Sequence, residues 1–274
     1  MSRRRQGRPN GWRWWPAALL AIWSAGCALR TEPTPLAAAH AHNDYEHARP
    51  LLDALAHGFC NIEADVYLID GQLLVAHDRK DVRPERTLAA LYLDPLRERV
   101  RSSGGRVFRG GPPVTLLVDV KSEARSTYAA LEAVLAGYAD ILTRFEEGGI
   151  RPGAVTVIVS GNRAPGDVVA RRLRYAALDG RSTDLDSTAD ASVYPWISEN
   201  WTKLSPWRGE GSLPEADRLR LRDWVRRAHA AGRRIRFWNT PETPAAWAAL
   251  REAGVDLIGT DDLARLRDFL HARR

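Results

Sequence analysis

Short apolar runs rich in β-branched residues alternate with longer stretches of helical periodicity along most of this sequence. The short runs predict eight strands, near residues 37–42, 60–66, 114–120, 155–160, 174–178, 191–197, 234–238 and 256–260. The periodic stretches predict helices near residues 50–57, 88–102, 124–147, 167–173, 214–231, 241–253 and 262–272. Eight strand–helix units typically close into a barrel of about 250 residues. We therefore predict an α/β fold, a single (β/α)8 TIM barrel over residues 37–274 of this 274-residue chain.

Two places depart from strict alternation. Residues 67–75 predict a hairpin that turns at Asp70-Gly71, a dipeptide that favours a tight two-residue turn. The fifth and sixth strands have the weakest pattern, and the helix between them is short or absent. The count of eight strands therefore depends on these two segments.

The first 26 residues differ in composition from the rest of the chain. They contain five arginines, no acidic residue and an apolar run from Trp14 to Ala25. A basic flank, a short apolar core and small residues before a cleavage site are typical of an export signal. Roughly 12 apolar residues are too few to cross a membrane as an ordinary helix. Because Ser24-Ala25-Gly26-Cys27 resembles a bacterial lipobox, we predict a lipoprotein-type signal peptide over residues 1–26 with lipidation at Cys27.

This prediction has consequences for the location of the protein. Residues 27–36, with two prolines between Thr31 and Pro35, predict a short tether to the barrel. We expect an exported, membrane-anchored lipoprotein that faces the periplasm or the cell exterior. A simple signal peptide and an uncleaved N-terminal anchor remain the alternatives.

The formal net charge of +6 gives no indication of nucleic-acid binding. The first 26 residues hold +5 of it, which leaves +1 for the predicted tether and barrel. A protein that binds DNA or RNA needs a basic footprint on its folded surface. We therefore expect no nucleic-acid partner, and we expect a monomer.

Polar residues cluster where the first three predicted strands end, which in such a barrel is the end that carries active sites. Period-two alternation places His40 and His42 on one side, Glu63 and Asp65 together, and Asp119 with Lys121. His77 follows the hairpin. Carboxylates inside a barrel are costly to ionise unless a cation or a donor compensates, and oxygen ligands suit one divalent cation, Mg²⁺ or Ca²⁺. A cation and a lysine together suit a phosphate-containing substrate.

Several motifs resemble those of the phospholipase C-like phosphodiesterase superfamily, which includes glycerophosphodiester phosphodiesterases and phosphatidylinositol-specific phospholipases C. They are HAHNDYEH (40–47), IEADVYLIDGQLLVAHD (62–78) and LLVDVKS (116–122), with weaker similarity in RIRFWNTP (234–241) and GVDLIGTDD (254–262). The resemblance is greatest to the branch typified by altered inheritance of mitochondria protein six.

The resemblance implies a metal-dependent phosphoric diester hydrolase. It implies two catalytic histidines, His42 and His77, and three metal ligands, Glu63, Asp65 and Asp119. It also implies that Lys121 contacts the phosphate. One histidine would remove a proton from the attacking hydroxyl, and the other would protonate the leaving alkoxide. Attack by water and attack by a substrate hydroxyl, which forms a cyclic phosphate, both stay open.

The residues near the predicted phosphate and leaving group are less typical of the superfamily. Glycerophosphodiesterases have arginine where this chain has Asn43, so a phosphate contact there becomes a neutral amide. They usually have glutamate where Asp119 stands. Trp238 ends the seventh predicted strand, and an aromatic wall there suits an organic leaving group. We expect a small-molecule or lipid phosphodiester as the substrate, with glycerophosphodiesters, inositol lipids, phospholipids and teichoic-type polymers all open.

Two other functions fit parts of the pattern. His40-Ala41-His42 also resembles the start of metal-dependent amidohydrolases, which need further histidines after strands five and six, whereas no histidine lies between His77 and His229. A lipoprotein that keeps the barrel but only binds a phospholipid head group or a partner would retain the same residues. Mutation of His42 or His77 separates this binding protein from an enzyme.

Overall fold

Eight parallel strands close into a barrel. The computed structural model describes Met1 and residues 32–272, and in this part of the chain the barrel strands, numbered β1 to β8, are Leu36–Ala41, Phe59–Ile69, Val114–Val120, Val155–Gly161, Ala176–Gly180, Trp196–Asn200, Arg234–Trp238 and Leu257–Thr260. Each strand pairs in parallel with the next. β1 also pairs in parallel with β8, which closes the ring and confirms the predicted (β/α)8 barrel.

The helices follow the strands around this ring. In the described residues, helices α1 to α8 are Leu52–Ala56, Asp94–Ser102, Ala124–Ala136, Pro165–Val169, Trp201–Leu204, Glu215–Ala230, Pro244–Ala253 and Leu263–Ala272. A π-helical turn, Ala89–Leu93, leads directly into α2. Each longer helix buries one apolar stripe; in α3 that stripe contains Tyr128, Leu131 and Leu135, which recur every three to four residues.

The barrel strands are buried on both faces, as parallel strands between helices and a barrel interior must be. In β3 every residue except the half-buried Asp119 is buried. The register pairs Asp65 of β2 with Asp119 of β3, and Asp119 with Ser160 of β4. Three neighbouring strands therefore present polar side chains at the same level, near their C-terminal ends.

The hairpin at residues 67–75 is confirmed. Gln72–Val75 pairs antiparallel with the end of β2. Asp70 and Gly71 both have positive φ, 49° and 78°, which is the requirement of a type I′ turn. The hairpin extends above β2 and leads the chain to His77.

The predicted helix over residues 124–147 is wrong beyond Ala136. α3 ends there, and Arg144–Glu146 instead pairs antiparallel with Gly149–Arg151. Phe145 is buried while its strand neighbours are only half-buried, which is the period-two pattern of a strand. The glycine pair at the turn of this hairpin, unfavourable inside a helix, was the sequence signal for it.

The fifth strand is displaced from its predicted position. Leu173–Arg174, at the start of the predicted strand, pairs antiparallel with Arg144–Glu146 in the small sheet outside the barrel. β5 begins at Ala176 and continues to Gly180, two residues beyond the predicted end.

The sixth strand starts later than residues 191–197 predict. The backbone amides of Val193 and Tyr194 both donate to the carbonyl of Asp190, which closes a turn. Pro195 then has no amide hydrogen to donate to a neighbouring strand. β6 therefore begins at Trp196.

The N-terminal predictions concern residues that the structure does not describe. The predicted signal peptide, Cys27 and the first residues of the tether lie outside the described residues. In the described residues no helix is both long enough and apolar enough to cross a membrane.

Candidate active site

Three carboxylates converge at the C-terminal ends of β2 and β3. Glu63, Asp65 and Asp119 can each offer an oxygen within 4.8 Å of the others. Within the described residues, the buried Oδ1 atoms of Asp65 and Asp119 have no hydrogen-bond partner. Buried acceptors without a donor are costly, and a cation would satisfy both. An all-oxygen donor set of this kind fits a hard divalent cation.

Lys121 balances part of this negative charge. Its Nζ donates to Asp119 Oδ2 at 2.6 Å and lies 3.0 Å from Asp65 Oδ2. Burial and the charge of Glu63 nevertheless raise the pKa of Asp65 to about 6. Burial also raises the pKa of Asp119, although Lys121 opposes this. The two aspartates therefore ionise less readily than usual unless a cation joins them.

Glu63 has a different environment, created by Arg236 of β7. Arg236 Nη1 donates to Glu63 Oε2 at 3.1 Å, and both side chains are buried. Burial by itself raises the pKa of Glu63, but the positive charge of Arg236 outweighs it and holds that pKa below its usual range. Arg236 was not identified from the sequence, because 173 residues separate it from Glu63.

His40 is part of this buried contact rather than an open ligand. Its Nε2 lies 2.8 Å from Glu63 Oε2 and 2.5 Å from Arg236 Nη1. Burial and the charge of Arg236 lower the pKa of His40 to about 4. A neutral histidine engaged on Nε2 by these neighbours does not favour the amidohydrolase arrangement, in which both histidines of the pair bind the metal.

His42 lies just beyond β1 and pairs with a residue from the other end of the barrel domain. Its Nδ1 donates to Asp261 Oδ1 at 2.8 Å. Burial lowers the pKa of His42, but the hydrogen bond and the charges of Glu63 and Asp261 raise it more, so the net shift is upward. Asp261 follows β8 directly, and the β1–β8 pairing brings it to His42. The acidic pair after the last predicted strand was the available sequence signal.

Asn43 is tied to the same group of residues. Its Oδ1 accepts a hydrogen bond from Tyr45 Oη at 2.7 Å, and its Nδ2 donates to Asp261 Oδ1 at 3.4 Å. Asn43 has φ +48°, in the left-handed region that asparagine tolerates better than most residues. Its amide therefore helps to hold the loop after β1 against Asp261.

Tyr45, which the sequence analysis did not select, links His77 to the carboxylates. Its Oη lies 2.7 Å from Asp65 Oδ2 and 2.9 Å from His77 Nδ1. His77 Nδ1 is also 3.3 Å from Asp65 Oδ2. Burial and the charge of Asp65 raise the pKa of Tyr45 far above its usual range, so the phenol stays neutral. Tyr45 Oη and Asp65 Oδ2 therefore both contact the His77 ring at Nδ1.

A cavity of about 170 Å³ opens beside His42. Trp238, Asp261 and Arg236 are among its lining residues, and Trp238 is 40% exposed. The structure thus brings His42 and Trp238 to one cavity, while Tyr45 links Asn43 to His77 and Asp65. All eight predicted site residues in the barrel lie around one end of it; their roles stay predictions.

A TIM barrel with a carboxylate cluster and two histidines at the C-terminal ends of its strands is the arrangement expected of the glycerophosphodiesterase-like class. A family model described as an AIM6-like phosphodiesterase domain matches residues 30–178. A second model, the glycerophosphoryl diester phosphodiesterase family, matches residues 234–264. The chain belongs to the AIM6-like phosphodiesterase family, within this glycerophosphodiesterase-like superfamily.

Curated relatives and a solved structure agree with this assignment. The chain is 29% identical to altered inheritance of mitochondria protein 6 of Eremothecium gossypii, over 90% of this chain and 72% of that protein. It is 30% identical to the Lachancea thermotolerans protein of the same name, over 82% of this chain and 63% of the relative. A glycerophosphodiester phosphodiesterase from Parabacteroides distasonis has the same fold, with a TM-score of 0.53, 13% identity, and 88% and 99% of the two chains covered.

Proposed function

We propose that this protein is a metal-dependent phosphoric diester hydrolase that acts on a glycerophosphodiester or phospholipid-type substrate by two-histidine acid–base catalysis. The observation that carries the proposal is the cluster of three carboxylates, with its unpartnered Asp65 and Asp119 oxygens, at the end of the barrel where His42 and His77 also lie. A site for a cation and two proton-transfer groups at one end of a barrel is what cleavage at phosphorus requires.

The charges of the site support a phosphodiester as the ligand. The carboxylates Glu63, Asp65 and Asp119 outnumber the cations Lys121 and Arg236 by one. One divalent cation held by these carboxylates would make the site positive by one charge, which matches the single negative charge of a phosphodiester. When bound, the cation would stabilise negative charge on the non-bridging phosphate oxygens.

The two histidines are held in ways that suit proton transfer. Asp261 orients His42 through Nδ1, and Tyr45 with Asp65 orients His77 through Nδ1. In each ring Nε2 is therefore the nitrogen that exchanges a proton with the substrate. One histidine removes the proton of the attacking hydroxyl, and the other protonates the leaving alkoxide. A positioned group of this kind contributes roughly 10²–10⁴-fold to the rate.

The test is turnover by the full-length chain of a chromogenic phosphodiester and a glycerophosphodiester panel, with Mg²⁺, Ca²⁺ or EDTA. We expect activity that needs a cation and falls by roughly 10²-fold or more in His42→Ala and in His77→Ala. His229→Ala is the matched control, since His229 pairs with Asp256 in a contact that includes no predicted site residue. Cation-dependent stabilisation without turnover of any substrate would instead favour a binding protein.

We also propose the anchored, exported location for the mature protein, with lipid at Cys27. The basic and apolar composition of residues 1–26 supports it. Incorporation of labelled fatty acid by the wild type but not by Cys27→Ser tests the lipid. Incorporation that persists in the variant would reject it.

A further inference from the structure

Arg236 has more hydrogen-bonding capacity than its contact with Glu63 uses. It lies in β7 and is 5% exposed. A guanidinium in a barrel interior is costly to bury unless its N–H groups have partners. Each nitrogen of the Arg236 guanidinium therefore needs a hydrogen-bond partner or contact with solvent.

Two of the three nitrogens are fixed by the protein. Nε donates to Ser198 Oγ at 2.8 Å, and Ser198 Oγ donates in turn to Asp179 Oδ1 at 2.6 Å. Nη1 donates to Glu63 Oε2 at 3.1 Å and lies 2.5 Å from His40 Nε2. The guanidinium is thus held from β6 on one side and from β2 on the other, and its orientation is set before any ligand arrives.

The third nitrogen, Nη2, has no hydrogen-bond partner among the residues that the structure describes, and the Arg236 side chain keeps 6% of its surface exposed. Arg236 lines the cavity of about 170 Å³ that His42, Trp238 and Asp261 also line. A charged donor without a partner therefore borders the cavity, one hydrogen bond away from the carboxylate cluster. A donor in that position suits an anion.

We propose that Arg236 binds a non-bridging oxygen of the substrate phosphate through Nη2. The inference rests on the proposed function, because it names a further residue for the same site. Asn43, where related enzymes have arginine, contributes no charge and is held by Tyr45 and Asp261. Arg236 supplies a positive charge to the phosphate from β7, two strands away from β1 in the ring.

The planar guanidinium is well suited to this role. It can serve Glu63 and a phosphate oxygen at once because its N–H groups point in fixed and different directions. A lysine at the same place has one nitrogen, and that nitrogen would pair with Glu63. Arg236→Lys thus keeps the charge beside Glu63 and removes the donor into the cavity.

The probe is inorganic phosphate, titrated calorimetrically into the full-length protein in EDTA and again with Mg²⁺. Loss of a charge-assisted hydrogen bond should weaken phosphate binding by about tenfold or more in Arg236→Gln and Arg236→Lys. Arg181→Gln is the matched control, since Arg181 donates to Asp179 Oδ2 in the same polar network but does not line the cavity. That variant should bind phosphate within about twofold of the wild type.

Several outcomes would overturn the inference. They are wild-type phosphate affinity in both Arg236 variants, an equal loss in Arg181→Gln, and no phosphate binding by the wild type in either condition. A change confined to the Mg²⁺ midpoint, with phosphate binding in EDTA unchanged, would show that Arg236 only positions Glu63. If Arg236→Gln fails to fold, the phosphate affinity of Arg236→Lys tests the inference by itself.

Turnover of the phosphodiester panel by the same variants separates this inference from the proposed function. Phosphate binding that depends on Arg236 in a protein without turnover would reject the proposed function and support the inference. Turnover that is unaffected by Arg236→Lys would reject the inference alone.

Discussion

The two halves of the barrel interior both bury aspartate side chains, but they differ in whether the carboxylate oxygens have hydrogen-bond donors. In the second half, Asp179 is fully buried and both its oxygens are occupied. Ser198 donates to Oδ1, while Ser160 and Arg181 donate to Oδ2. In the first half, the buried Oδ1 atoms of Asp65 and Asp119 have no partner within the described residues.

This difference separates the carboxylate that stabilises the fold from the carboxylates that can bind a ligand. A buried carboxylate whose acceptors are all satisfied can help to stabilise the fold. A buried carboxylate oxygen that lacks a donor costs stability, and a ligand that supplies the missing interaction offsets this cost. We therefore interpret Asp179 and its two serine donors as the frame that holds Arg236, and the Asp65 and Asp119 pair as the part of the site that awaits a ligand.

The largest expected effect is a difference in stability between two aspartate variants. Asp179→Ala leaves Arg181 and two serine donors without their partner and should cost about 3 kcal/mol or more. Asp65→Ala, in EDTA at pH 7, should cost less than Asp179→Ala. Burial raises the pKa of Asp65 to about 6, so removal of its unfavourable ionised form offsets the loss of its contacts with Tyr45 and Lys121. Urea unfolding measures both. Equal losses in the two variants would contradict the comparison.

Cation binding should give the next largest effect. At a concentration 100 times its dissociation constant, Mg²⁺ or Ca²⁺ should stabilise the wild type by about 2.7 kcal/mol. The melting temperature should then rise by roughly 5–10 °C. Asp119→Asn should abolish most of this rise, whereas Asp167→Asn, at a half-buried aspartate paired with Arg125 outside the cluster, should keep it. An unchanged rise in Asp119→Asn would remove this residue from the cation site.

Asp44, which lies outside the carboxylate cluster, provides a pH test of the cost of ionising a buried carboxylate. Burial raises its pKa to about 6 from an ordinary value of 3.8, although the Leu51 amide donates to it. The folded state therefore holds its proton to higher pH than the unfolded state, and stability falls as pH rises from about 4 to 6. The loss is about 3 kcal/mol at most. Asp44→Asn should remove this fall, while Glu46→Gln, an exposed neighbour, should keep it.

Trp238 should give the smallest effect on stability and a selective effect on substrate. It is 40% exposed, so Trp238→Ala should change the unfolding free energy by about 0.5 kcal/mol or less. Loss of its apolar contact should raise KM by about tenfold for bulky leaving groups and less for glycerol. Leu219→Ala, at an exposed residue that does not line the cavity, is the control. A uniform change across the substrate panel would contradict a leaving-group role.

Local pattern predicted most of the fold. Alternating strands and helices placed the barrel, and the hairpin at Asp70-Gly71 followed from two residues that accept positive φ. The errors lie where local composition was ambiguous. Alanine- and leucine-rich sequence suggested a helix past Ala136, and the turn closed by Asp190 with Pro195 delayed the sixth strand.

The sequence by itself determined which side chains of each strand point to the same face. The period of two places Glu63 with Asp65 and Asp119 with Lys121, because alternate side chains of a strand point to one face. It could not determine their partners. Asp261 reaches His42 across 219 residues, and Arg236 reaches Glu63 across 173. Only closure of the ring, which pairs Ala41 with Thr260, decides those contacts, because nothing local in a strand specifies which distant strand will lie beside it.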